Sequence, residues 1–357
     1  MTTNDGGGRG TPDRTFTIAI TDATGGATPT ERPTLTVTIS EDDPAARAAR
    51  VQTPLAAFAK SAGQLAANAV SQRLAFTGNT LKEHGFSLNL KDAGFNLWAS
   101  GSRSNANGSN NALTYTGHTT AWHLGADAPW RNGLLGIAVG QNAGNTDFSN
   151  PDASGKLKSN LLSLHPYFTR THNKTRLWAT AGYGNGEAEL SETGEAKFTT
   201  SLTMLTAGIG ATVTTNESAT LSLGALWSRA ELDAATNTNG KTLPAVTADA
   251  LRLNAGLEAG WDLTEEWRPF VTVSIRSDSG DGDDGNAADY GGGVEWQANT
   301  VHVRLEGRKH AQGQGPDEEN LTLTARKTAG RLNLGLNLTA AASGLNTANL
   351  LSGELRF

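Results

Sequence analysis

The sequence predicts an all-β fold, a closed antiparallel transmembrane β-barrel of about 12–14 strands with one helix ahead of it. Three observations predict it. From about residue 86 to the C-terminus, apolar and polar side chains alternate with a period of two. The alternating runs are long, roughly 9–14 residues, where soluble sandwich strands average about 5–6. Short and long connections alternate along the chain, as they do when one rim of a barrel carries tight turns and the other carries loops.

Residues 1–43 stand apart from the rest. Thr15–Thr21 (TFTIAIT) and Thr34–Ser40 (TLTVTIS) read as two short strands, and Glu41-Asp42-Asp43 closes the segment. TLTVTISEDD resembles the last strand and acidic end of a Calx-β domain. In that family such ends help hold Ca²⁺, so Glu41, Asp42 and Asp43 are weak metal candidates. An acidic helix N-terminus is the plainer reading. MTTNDGGGRG has no basic start followed by an apolar core, so an export signal is expected outside this sequence.

Residues 44–85 read as a helical linker or plug. Arg47, Arg50, Lys60 and Arg73 are spaced among alanines, and Pro54 is expected to break the helix. The apolar stripe is thin: Leu55, Phe58, Leu65 and Val70. Such a helix suits solvent or the inside of a wet, polar channel.

The barrel region is residues 86–357. Leu251, Leu253, Ala255, Leu257, Ala259, Trp261 and Leu263 fall on one face, and Arg252, Asn254, Glu258 and Asp262 on the other. Leu221–Trp227, Trp267–Ile275, Tyr290–Trp296, Val301–Leu305 and Leu332–Leu338 repeat the pattern. Tight turns are expected at 131–133, 172–174, 215–217, 264–266, 298–299 and 329–330. Loops are expected at 103–112, 149–156, 190–197, 231–247, 278–287, 310–318 and 343–349. A meander of this length must close to hide its edges. Trp130, Trp227, Trp261, Trp267, Tyr290 and Trp296 near strand ends suit membrane interfaces.

Composition narrows the function. The 357 residues hold no cysteine, so disulfides and thiolate chemistry are excluded. A net charge of −6 argues against nucleic acid as a partner. Mean hydropathy is −0.38, yet a barrel strand is apolar on one face only. His118, His123, His165, His172, His302 and His310 are scattered over different strands, and His165 should face the interior as a structural residue. No nucleophile elbow appears. Asp278–Asp284 lacks the spaced glutamate of a Ca²⁺ loop, and Tyr183-Gly184-Asn185-Gly186 opens no helix to cradle phosphate. No cofactor is expected.

Several stretches resemble the C-terminal β-domain of autotransporters, the type V secretion proteins. They are FNLWAS (Phe95–Ser100), LGADAPWRNGLLGIAV (Leu124–Val139), LHPY (Leu164–Tyr167), LWATAGYGNG (Leu177–Gly186), LRLNAGLEAGW (Leu251–Trp261), Ile275–Trp296 and the terminal Leu355-Arg356-Phe357. The resemblance implies a barrel in the bacterial outer membrane, anchoring and exporting an upstream passenger polypeptide. It implies outer-membrane lipid and the barrel-assembly machinery as partners, with Phe357 as an assembly signal. The family barrel usually has twelve strands, whereas the reading above gives about fourteen. Some members cleave their passenger with acidic residues inside the barrel. Here Glu258, Glu295 and Glu306 share faces with Arg252, Arg304 and Arg308, and structural pairing in the lumen is expected instead. The alternatives are a general porin with the helix outside the lumen, and a soluble β-rich surface or adhesin fragment.

Overall fold

The computed structural model describes residues 14–19, 34–39, 44–75, 85–90, 94–110, 113–151, 153–216, 218–281, 285–312, 318–329, 332–341 and 350–352. Glu41, Asp42, Asp43 and Phe357 lie outside these residues. Strands β1 (Arg14–Ala19) and β2 (Thr34–Ile39) pair antiparallel as a separate two-stranded sheet. Helix α1 runs from Pro44 to Ala75.

Next come β3 (Gly85–Leu90), β4 (Phe95–Asn110), β5 (Leu113–Trp130), β6 (Gly133–Ser149), β7 (Ser154–His172), β8 (Thr175–Glu192), β9 (Phe198–Asn216) and β10 (Ala219–Leu232). A two-residue pair, β11 (Ala235–Thr236) and β12 (Thr242–Leu243), sits in the following connection. The chain continues with β13 (Val246–Gly260), β14 (Trp267–Gly280), β15 (Gly285–Ala298), β16 (Val301–Gln312), β17 (Glu318–Ala329), β18 (Leu332–Ala341) and β19 (Leu350–Ser352). From β3 to β18, leaving out β11 and β12, each strand pairs with its sequence neighbour. β18 pairs with β17 on one edge and with β3 on the other, so the meander closes into a ring of fourteen strands. β19 shares the β3 edge of β18. Closure leaves no long edge to recruit foreign strands.

The tight turns at 131–133, 172–174 and 298–299 fall where the sequence places them, while Glu217 and Gly330 of two further expected turns lie outside the described residues. Arg131, Asn173 and Asn299 each adopt positive φ near 50° at the first turn residue. Asn tolerates that conformation through its short polar side chain, while Arg131 is a less common occupant.

The strands are longer than expected. β5 to β9 have 17–19 residues, against 10–12 in β16 to β18. Of the segments expected as loops, 103–112 is strand as far as Asn110, 149–156 is strand at Ser149 and at 154–156, and 190–197 is strand only to Glu192, with 193–197 forming the connection. Their Ser, Asn, Gly and Thr content imitates loop composition, but hydrogen bonds to neighbours keep the ladder going beyond the apolar belt. At about 3.4 Å per residue and a tilt near 45°, nineteen residues rise about 45 Å, well above a 25 Å belt.

The outward face carries that belt. Leu124, Leu135, Ile137, Leu162, Leu164, Leu177, Ile209, Leu223, Leu253, Leu257, Val271, Val273 and Ile275 are all exposed. On β5 the belt ends at Trp122, whose Nε1 donates to Gln141 Oε1 at 2.9 Å. Gln141 in turn donates to Asn160, and polar residues take over from there toward the loops. Trp130, Trp261 and Trp267 are exposed near the opposite rim. An arginine in place of Leu257, in the middle of the β13 belt, is expected to cost about 2–4 kcal/mol. Urea unfolding in lipid vesicles measures it, and a cost near zero would remove the residue from the lipid face.

Candidate functional site

The lumen is filled by α1, whose 32 residues span about 48 Å. The helix does not break at Pro54. Proline there removes one backbone hydrogen bond, but packing against β4–β10 and β13 holds the axis, so the expected break is absent. Val51, Leu55, Phe58, Ala59 and Ala62 are almost fully buried. Alanines let the helix backbone approach the wall closely. Gly63 marks the tightest approach: a Cβ there would meet Ser228 Oγ at 2.1 Å. Across the lumen, Phe58 lies over Gly144, where a Cβ would sit 2.5 Å from the ring.

Around the N-terminal half of α1 the lumen is dry. Leu113, Tyr115, Phe148, Leu157, Leu161, Leu190, Phe198, Leu202, Met204, Leu232, Leu243 and Val246 pack with the helix into one apolar core. This corrects the expectation of a uniformly hydrated interior. These residues alternate like lumen positions in sequence, but they lie where the tall wall needs a core of its own.

Charged contacts fix the helix at the loop end. Glu192 accepts Arg47 Nε at 2.9 Å and Arg50 Nη2 at 2.9 Å, and Arg47 also donates to the Thr242 carbonyl at 2.6 Å. Farther along, Lys60, Gln64 and Asn68 form a half-buried polar stripe at four-residue spacing toward Ala75, with Gln52 two turns before it. Lys60 lies 3.5 Å from Asp278, and Gln64 accepts Arg252 at 3.1 Å. Near the tight-turn end, Ala69 and Val70 pack on Trp98, Ala138 and Tyr167. Trp98 Nε1 donates to Tyr167 Oη at 2.7 Å, and Tyr167 donates to Asp127 at 2.7 Å.

Five of the six charges singled out from the sequence meet in one cluster. Arg304 reaches Glu295 at 2.6 Å, Glu258 at 3.0 Å and Glu306 at 3.0 Å. Arg308 pairs with Glu306 at 2.6 Å. Arg268, not singled out, completes the set by reaching Glu295 at 2.8 Å and Glu258 at 3.5 Å. Three carboxylates thus face three guanidiniums, and Arg304 also lies 3.6 Å over the Phe270 ring. The sixth charge, Arg252, belongs elsewhere: it makes a two-pronged pair with Asp278 at 2.7 and 2.9 Å. Asp278 is the one carboxylate of β14 and is taken up by Arg252, Lys60 and Arg276. Sequence reasoning missed Glu192 because one inward carboxylate at the end of a run resembles loop polarity. The two arginines one turn apart on α1 were the available signal.

A closed barrel with a greasy outer belt and a helix through its lumen restricts the family. The sequence profile of the autotransporter β-domain matches residues 97–315, more than half of the 357. The chain belongs to the autotransporter β-domain family. It is an outer-membrane translocator domain of a bacterium. None of the curated proteins compared with it matches. Among solved structures it is similar to the translocator domain of the autotransporter NalP from Neisseria meningitidis, at 14% identity and TM-score 0.49, over 80% of this chain and 96% of that one. It is also similar to the transport unit of AIDA-I from Escherichia coli, at 16% identity and TM-score 0.44, over 79% and 97%. For the β-domain of the Bordetella autotransporter BrkA the values are 14% and 0.45, over 70% and 98%. The family profile begins after residues 1–43, so it does not bear on their Calx-β resemblance.

Proposed function

We propose that α1 is the membrane-spanning link of an exported passenger, left in the lumen with its N-terminus toward the cell surface. One observation carries this reading: the Pro44 end of α1 lies at the loop rim beside Glu192 and Thr242, and the Val70 end lies toward the tight turns. Short turns face the periplasm in outer-membrane barrels, so a chain joined to Pro44 emerges outside. Residues 1–43 are then a linker or partial module, residues 44–85 the link, and residues 86–357 the barrel. The outward belt contacts outer-membrane lipid, since every backbone polar group within lipid must pair internally. The terminal Phe357 serves the barrel-assembly machinery. The pairing of buried Glu258, Glu295 and Glu306 with guanidiniums supports a translocator without chemistry of its own. A porin with the helix outside would need an open lumen, and the packing of α1 argues against it.

Cysteine placed at Ala62, a fully buried position, tests the reading. In the folded barrel, identified by heat-modifiable gel migration, a membrane-permeant thiol reagent is expected to leave it unlabelled, with full labelling after boiling. Prompt labelling of the folded form would put the helix outside the lumen and return the porin.

A further inference from the structure

We infer that His123 and His165 form a lumenal binding site for a borderline transition-metal cation of the zinc or copper(II) class. The two histidines project inward from β5 and β7, which are separated only by β6, and each is 1% exposed. Their ring centres are 5.9 Å apart and the planes meet at 67°. Neither ring nitrogen of His123 has a hydrogen-bond partner, nor does the neighbouring Asn142 Oδ1. His165 Nδ1 lies over Gly182 beside Thr206, which leaves Nε2 as its nitrogen on the side of Ser163. His165 Nε2 lies 2.9 Å from Ser163 Oγ. His123 Nε2 and Ser163 Oγ converge over Gly140, at 2.8 and 3.1 Å from the point where a Cβ would stand. Any larger residue at 140 would fill the space that these groups share.

Buried imidazole nitrogens without partners are costly, and a native protein holds them for a reason. The donor set identifies the chemistry. Two imidazoles with a hydroxyl and an amide oxygen nearby suit zinc, copper(II) or nickel, while magnesium and calcium require mainly oxygen. Geometry agrees. With each nitrogen about 2.1 Å from a shared ion, two imidazole ring centres stand about 5.2 Å apart at a tetrahedral angle and about 6.4 Å apart in line. The observed 5.9 Å lies between them. The site stands on the wall between Ala138, which packs with Val70, and Gly144, which faces Phe58, so a bound ion would staple β5 to β7 beside the helix.

The folded full-length chain in detergent is titrated with Zn²⁺ by calorimetry and with Cu²⁺ by electron paramagnetic resonance. One ion per barrel is expected, with nitrogen couplings from two imidazoles. His123→Asn or His165→Asn should weaken binding at least about tenfold, the scale even outer-shell partners reach. Each variant is first checked for heat-modifiable migration. Should both misfold, Gly140→Val, which keeps both histidines in the sequence but pushes the His123 ring out of the shared space, is expected to give the same loss. No binding by the unmodified protein, or binding unchanged in a folded double variant or in Gly140→Val, would overturn the inference. It would leave an edge-to-face histidine pair with a structural role. The result is independent of the Ala62 labelling, so site and plug can fail separately.

Discussion

Replacing Glu192 by alanine is expected to loosen the plug and raise the conductance of the barrel in planar bilayers. Glu192 is buried and is the shared acceptor of Arg47 and Arg50. Arg47 is as buried as its partner, and the Thr242 carbonyl and the face of Phe198 are neutral contacts that do not replace the carboxylate's charge. Leaving a buried charge without its counterion costs about 3–5 kcal/mol. Part of that cost is relieved if the N-terminal turns of α1 leave the outer collar and take Arg47 into water. The change therefore shows first as channel opening and as labelling of a cysteine at Ala62, with the barrel itself intact. Pairing Glu192→Leu with Arg47→Met should restore the closed state, because an apolar pair of similar volume avoids the desolvation altogether. Closed-channel traces from the single variant, equal to those of the parent, would show that the apolar collar alone holds the helix.

Arg304→Ala is expected to act on the barrel and not on the plug. Arg304 neutralises Glu258, Glu295 and Glu306 and lies over Phe270, all of them residues of the barrel wall. Its removal leaves two guanidiniums for three carboxylates in a water-poor wall. A loss of about 3–5 kcal/mol follows, seen as a lower urea midpoint and earlier loss of the compact gel form. Arg304→Lys should recover only part of it, since an ammonium cannot present the planar fork that serves three acceptors at once. A variant as stable as the parent would mean that Arg268 and Arg308 suffice. The two substitutions thus separate plug retention from wall stability, which are distinct tasks of neighbouring charged groups.

Leu251, Leu253, Leu257, Val271 and Ile275 were legible as outward residues because a strand has only two faces, so a period of two fixes which side chains share one. Arg131, Asn173 and Asn299 sit at turns the sequence marked, because positive φ favours few residue types and a two-residue reversal permits little else. The joint membership of Glu258, Glu295, Arg304, Glu306 and Arg308 on inward faces was equally a matter of parity. What the sequence determined by itself was local periodicity: strand, turn, helix, and the face each side chain takes.

Parity does not say which inward residues meet. That depends on stagger between strands, which hydrogen-bond register sets around the whole ring. Stagger sends Arg252 to Asp278 and not to the Arg304 cluster, and it sets His123 beside His165. It also makes Glu192 the seat of Arg47 across 145 residues of chain. Nor can alternation distinguish a wet lumen from a dry one. Leu157, Leu161, Phe198 and Met204 read as interior positions in either case, and only the presence of α1 against them turns that interior into a core.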